Sequence, residues 1–149
     1  MIDPFDDAYF MKKALEEAQF AFDKGEVPVG AIIVFKEQII ARAHNLTETL
    51  NDVTAHAEMQ AFTAASDYLG GKYLKNCTLY VTLEPCQMCA GASYWTQIGK
   101  IVYGASELER GFVKLKTTLH PKTKILKGLL EEDCSKLLKR FFIEKRNLN

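Results

Sequence analysis

Thr78-Leu79-Tyr80-Val81-Thr82-Leu83-Glu84-Pro85-Cys86-Gln87-Met88-Cys89 is the stretch from which the fold of this chain can be read. Its first six residues are rich in β-branched and aromatic types, which predicts a strand. Pro85 suits the first turn of a helix, so Cys86 and Cys89, three apart, are expected on one face near that helix's N-terminus. Aligned N–H groups there lower a thiol's pKa, and the thiolate is the form that binds metal. A strand that hands the chain directly to a helix N-terminus belongs to α/β architecture, where ligands bind beyond the C-terminal ends of strands.

About thirty positions upstream stands Thr54-Ala55-His56-Ala57-Glu58. Two thiolates and an imidazole form a soft donor set that selects zinc, one ion per chain, with His56 as third ligand beside Cys86 and Cys89. Three protein ligands leave a fourth position for water, the mark of a catalytic ion and not a structural one. Glu58, two residues from His56, is expected beside that water as general base and acid without binding the metal. Two other readings stay open. The Cys pair alone fits a thioredoxin-like redox couple, and His44, Cys77, His120 or Cys134 would complete a closed structural zinc site.

The 149 residues fit one domain, 1–149, and 48% hydrophobic with 26% charged residues is a globular balance that argues against disorder. The start of the chain, Met1-Ile2-Asp3-Pro4-Phe5-Asp6-Asp7, is acidic where a signal peptide would be basic and then apolar. No apolar run is long enough to span a bilayer, so no membrane partner and a cytoplasmic location are expected. Cys77 and Cys134 then read as buried thiols of a reducing compartment. The net charge of zero conceals an asymmetry. Residues 1–109 hold 8 Lys+Arg against 15 Asp+Glu, and residues 110–149 hold 11 against 4, a balance of −7 followed by +7. The basic end is either a phosphate-binding surface or a solvated, Lys-rich helix face.

Asp6 and Asp7 open a first helix with Met11, Ala14, Leu15, Ala18 and Phe22 at helical spacing, and Gly25 ends it. Ala31 to Phe35 predicts a strand, Lys36-Glu37 a turn without the usual Asn-Gly, and Gln38 to Ala43 the hairpin partner. Polar residues from His44 to Val53 make a loop. Thr54 then reads as the cap of a helix through Ala65 that carries His56 and Glu58 in its first turn. A helix through Trp95 and a strand from Lys100 to Gly104 complete a parallel crossover. A short helix around Leu108 to Leu115, a strand from Thr123 to Leu126 and a C-terminal helix from Glu131 follow, the last with Leu130, Cys134, Leu137, Leu138 and Phe141 as its apolar stripe.

Together these segments resemble the cytidine deaminase superfamily and, within it, the bacterial tRNA-specific adenosine deaminases. The likeness runs nearly end to end. It is carried by Glu26-Val27-Pro28-Val29-Gly30-Ala31, by Asn45, by Asp52 through Glu58, and most specifically by Leu79 through Ala92, which includes the P-C-x-x-C that pairs with H-x-E in zinc deaminases. The resemblance implies a three-layer α/β/α fold with a five-stranded mixed sheet between helices, a homodimer, and deamination of the wobble adenosine of a tRNA anticodon stem-loop to inosine. By matching position, Asn45 and the backbone at Ala57 would hold the base. It also sets the C-terminal helix near RNA, which makes Lys139, Arg140, Lys145 and Arg146 the expected phosphate contacts.

Two stretches depart from the pattern. Ser93-Tyr94-Trp95-Thr96-Gln97 stands where the family often carries a His and an Arg, and Tyr94-Trp95 resembles bacterial guanine deaminases. Core packing is the ordinary expectation for Trp95, with base stacking the other. From Ser106 to Lys116, Glu107 replaces the family's usual Asp and Leu108-Glu109-Arg110-Gly111-Phe112 replaces a Gly-rich loop. The same zinc, His and Glu would serve a small-molecule deaminase acting on guanine or cytosine, which is the alternative substrate class.

Overall fold

A computed structural model describes residues 4–148; Met1 to Asp3, the first part of the acidic N-terminal stretch, lie outside the described residues. The elements run α1 (Asp7–Asp23), β1 (Gly30–Phe35), β2 (Gln38–His44), α2 (Ala57–Leu69), β3 (Cys77–Leu83), α3 (Gln87–Thr96), β4 (Lys100–Ala105), β5 (Lys124–Lys127) and α4 (Glu131–Asn147). Among the described residues the strands form one five-stranded sheet in the order β2-β1-β3-β4-β5. β1 is antiparallel to β2 and β3, whereas β3, β4 and β5 run parallel, so the sheet is mixed as expected.

Alternation along the inner strands sorts the core into two layers. Ile32, Val34, Tyr80 and Val102 face α1 and α4 and pack with Phe10, Met11, Ala14 and Cys134. Ala31, Ile33, Leu79, Val81, Ile101 and Tyr103 face the other way and pack with Ala57, Ala61, Phe62, Ala65 and Ala90 of α2 and α3. Each fully buried Ile or Val among them stabilises the fold by about 1.5–3 kcal/mol. α1 begins where Asp6 accepts the Tyr9 N–H at 2.9 Å, with Asp7 in the first turn. It lies close on β1 because Gly30 has no side chain; a Cβ there would collide with the Ala14 carbonyl and the Ala18 amide.

The hairpin turn forms without glycine or asparagine. Lys36 and Glu37 both adopt left-handed backbone, φ 51° and 63°, at about 1–2 kcal/mol each. Pairing of β1 with β2 on one edge and β3 on the other outweighs that cost. β5 sits at the sheet edge with all four residues exposed, and Lys124 and Lys127 discourage further strand pairing there.

Three expectations are corrected. Thr54 does not cap α2; its hydroxyl donates to Asp52 at 2.7 Å, and His56 occupies the cap position. The helix expected around Leu108 to Leu115 is a series of turns. Its amides are diverted from a helical ladder, since Phe112 donates to the Pro85 carbonyl at 2.9 Å and Val113 to the Glu84 carboxylate at 3.1 Å. Trp95 is not core, being 78% exposed. α3 buries Cys89, Ala90 and Ser93, and a residue two beyond Ser93 points away from that face. Cys77 and Cys134 are buried free thiols, and among the described residues no helix is long and apolar enough to cross a membrane.

Candidate active site

Two helix N-termini converge beyond the C-terminal end of β3. His56 is the N-cap of α2 and Cys86 the N-cap of α3. The extended backbone of Cys86, φ −72° and ψ 175°, carries the strand direction into the helix, so Pro85 precedes the cap and only Cys89 lies in the first turn. The geometry nevertheless brings the expected donors together. His56 Nδ1 lies 3.6 Å from Cys86 Sγ and 3.5 Å from Cys89 Sγ, and the three ligand atoms fall within 4.8 Å of one another. Residues considered for a closed site are engaged elsewhere. His44 Nδ1 is 2.9 Å from Glu17 Oε1, His120 lies against the Tyr94 ring, and Cys77 and Cys134 belong to opposite core layers. Among the described residues, His56, Cys86 and Cys89 are the metal-competent group.

The donor chemistry fits a cation. The Cys89 thiol donates to Cys86 and, with His56, lowers the Cys86 pKa to about 4 against its burial. That thiolate in turn raises the His56 pKa, and the same hydrogen bond and burial push the Cys89 thiol up. A bound metal ion would release the Cys89 proton and make both sulfurs thiolate. Glu58, in the first turn of α2 and 4% exposed, is pushed up to about 7, first by burial and then by the negative charge of Cys86, against its own backbone amide and His56. A carboxyl poised there can accept and return a proton near neutral pH.

A cavity of about 290 Å³ opens over His56, Glu58 and Cys86, with Asn45, Thr47, Val27, Val29, Leu83, Glu84, Glu107, Arg110 and Phe142 completing its lining. Asn45 is buried and donates through Nδ2 to Thr47 Oγ1 at 3.4 Å. Ala57 is fully buried in the first turn of α2, one residue before Glu58. The loop bearing Asn45 and Thr47 is folded over Glu26, whose side chain is wholly buried. It accepts the Glu48 amide at 3.0 Å, the Thr49 amide at 2.6 Å and the Thr49 hydroxyl at 2.7 Å. Burial works to raise the Glu26 pKa, and these hydrogen bonds outweigh it and hold the carboxyl below its ordinary value. Gln60 ties the same region to α2, donating to the carbonyls of His44 at 2.9 Å and Ala55 at 3.2 Å.

The four basic residues expected on the C-terminal helix are exposed, but they do not share one direction. Phe142 reaches the cavity, and Lys139 and Arg146 stand three and four residues from it, whereas the Lys145 ammonium lies 5.8 Å from the Phe141 ring centroid. Arg140 turns toward α1, its guanidinium 4.2 Å from the Phe22 ring centroid and 3.9 Å from Glu144. Sequence reasoning assigned no role to Glu26, Gln60, Glu84, Arg110 or Phe142. Only Glu84 carried a local signal, being a charged residue set directly before Pro85 at the end of a strand-type stretch.

The class that this fold and donor group define is the deaminases of cytidine deaminase-like fold. A family model described as MafB19-like deaminase matches residues 5–147. A curated relative from Aquifex aeolicus (strain VF5), named tRNA-specific adenosine deaminase, is 48% identical over 145 residues, 93% of this chain and 95% of its own length. Among solved structures, one from work on A-to-I editing by tRNA:A34 deaminases at the wobble position of transfer RNA is similar at 40% identity and TM-score 0.82, covering 87% of this chain and 99% of that one. A guanine deaminase structure from Bacillus subtilis is 41% identical with TM-score 0.62, over 65% of this chain and 62% of its own. The chain belongs to the MafB19-like deaminase family and, within it, to the tRNA-specific adenosine deaminases.

Proposed function

We propose that this chain, as a single domain over residues 1–149, is a zinc-dependent hydrolytic deaminase that converts the wobble adenosine of a tRNA anticodon loop to inosine. The observation that carries the reading is the geometry: the buried carboxyl of Glu58 lines one cavity together with His56 and Cys86, and Cys89 completes the donor group behind them. These three residues would hold one zinc ion per chain, which when bound acts as a Lewis acid and makes a water nucleophilic at neutral pH. Glu58 takes the proton of the attacking water and delivers protons to the adenine ring and to the amine at C6, which leaves as ammonia. Asn45 and the backbone N–H of Ala57 hold the base. An unpaired loop lowers the cost of turning that base out of its stack.

The basic side chains flanking Phe142 supply contacts to the anticodon stem-loop, and a homodimer is supported by apolar side chains left exposed around α2 and α3, with Val53 84% exposed and Trp95 78%. A cytoplasmic enzyme is consistent with its tRNA substrate. Free guanine is the second reading, favoured by Tyr94-Trp95 and by the partial likeness to the guanine deaminase. Metal removal tests the chemistry. Stripping the protein with a chelator should abolish inosine formation and zinc should restore it, with about one ion per chain by metal analysis; Cys86→Ala should retain none. Full activity in the stripped protein would overturn the zinc reading.

A further inference from the structure

We infer that Glu84 is a positioning residue that fixes the outer lip of the substrate cavity, residues 107–113, to the strand end that bears Cys86. The inference rests on the deaminase reading above for its consequence but not for its geometry. Glu84 is 4% exposed, and both carboxylate oxygens are turned to the backbone of that lip. Oε1 accepts the Glu107 N–H at 3.2 Å and Oε2 the Val113 N–H at 3.1 Å. Its own amide donates to the Ala105 carbonyl at 2.8 Å, the Phe112 amide to the Pro85 carbonyl at 2.9 Å, and Cys86 forms an isolated antiparallel bridge with Gly111.

One side chain therefore closes a loop whose amides no regular element satisfies, and hydrogen bonds to a buried charge are among the stronger ones available. Gly111 is required by this arrangement. A Cβ at that position would overlap Glu84 Oε2 and the Glu107 carbonyl, so the lip approaches the carboxylate only because the residue there has no side chain. The Glu107 side chain completes the turn from outside, accepting the amides of Glu109 at 3.0 Å and Arg110 at 3.3 Å. What the clamp presents to the cavity is Glu107 and Arg110, and Arg110 is the one Lys or Arg side chain among the described lining residues. A lip released from Glu84 withdraws that cation from a phosphate-bearing substrate while leaving His56, Glu58, Cys86 and Cys89 in place. The loss belongs to substrate binding and not to the chemical step.

The test uses the zinc-loaded full chain and two perturbations of the same hydrogen-bonded pairing. Glu84→Gln puts an NH₂ donor against an amide N–H. Gly111→Ala leaves the carboxylate intact and pushes the lip off it. In both, the amides of Glu107 and Val113 should exchange hydrogen about tenfold faster or more, measured without RNA. KM for an anticodon stem-loop should rise about tenfold, with kcat within about threefold and zinc content unchanged. Wild-type exchange and KM in both variants would overturn the proposal, as would a fall in kcat at constant KM or loss of zinc. If Glu84→Gln does not fold, Gly111→Ala alone decides by the same readouts. A wild-type protein that forms no inosine would sink the substrate reading, and the exchange measurement would still decide whether Glu84 holds the lip.

Discussion

At the residue scale the chemistry rests on Glu58, because the donor group beside it can supply acidity but no proton shuttle. Burial raises its pKa, and its place in the first turn of α2, two residues from His56, sets one carboxyl where it can accept a proton from water and give it to a leaving amine. Glu58→Ala should keep the metal and the fold and lose turnover by about 10²- to 10⁴-fold, read as kcat with metal content measured on the same sample. Near-full activity would remove Glu58 from the reaction, and loss of metal would make it a ligand. These residues are legible in the sequence because metal chemistry prescribes both donor type and spacing. Donor chemistry makes His56, Cys86 and Cys89 candidates, and the pairing of H-x-E with P-C-x-x-C known from zinc deaminases joins them across thirty positions. Glu26 and Glu84 are not legible as loop holders, since a carboxylate that accepts backbone amides from a distant loop leaves no periodicity behind it. Nor does the sequence distinguish the cap from the first turn for Cys86, a difference set by where the extended backbone of β3 ends.

At the scale of elements, the strands and long helices follow from apolar alternation and caps, whereas the segments that shape the cavity are loops held by buried acids. The turns from Leu108 to Leu115 show why. Their composition permits a helix, but tertiary partners claim the amides that a helix would need. Trp95 departs from its expected place in the core for a related reason, since the burial of Cys89 and Ser93 settles which side of α3 faces inward. On the opposite lip, Glu26 links stability to pH with a definite sign. Its folded pKa lies below the ordinary glutamate value of 4.5, so its contribution is present above the unfolded pKa and is lost as pH falls through the folded one. Glu26→Gln should therefore lower Tm at neutral pH, by about 2–4 °C for each kcal/mol lost in a chain of this size. The gap to wild type should narrow below about pH 4.5, the ordinary range of a glutamate. A gap that is constant across that range would show that the Glu26 charge contributes nothing.

At the scale of the molecule, the basic C-terminal quarter takes on direction once α4 is folded. Lys139, Lys145 and Arg146 stand three or four residues from Phe142, which lines the cavity, with the Lys145 ammonium over the Phe141 ring, and Arg140 is committed to Phe22. Replacing the first three by Gln should weaken stem-loop binding and flatten its salt dependence by roughly 0.7 in the slope of log K against log salt for each phosphate that is no longer neutralised. Arg140→Gln should leave that slope unchanged, and equal slopes for the triple variant and wild type would remove α4 from RNA binding. The comparison that most directly tests the whole account is turnover by zinc-loaded protein on an anticodon stem-loop carrying the wobble adenosine, run beside free guanine, cytosine and adenosine. The account predicts inosine in the stem-loop and little or no ammonia from the free compounds; rapid release of ammonia from guanine with an unmodified stem-loop would contradict it.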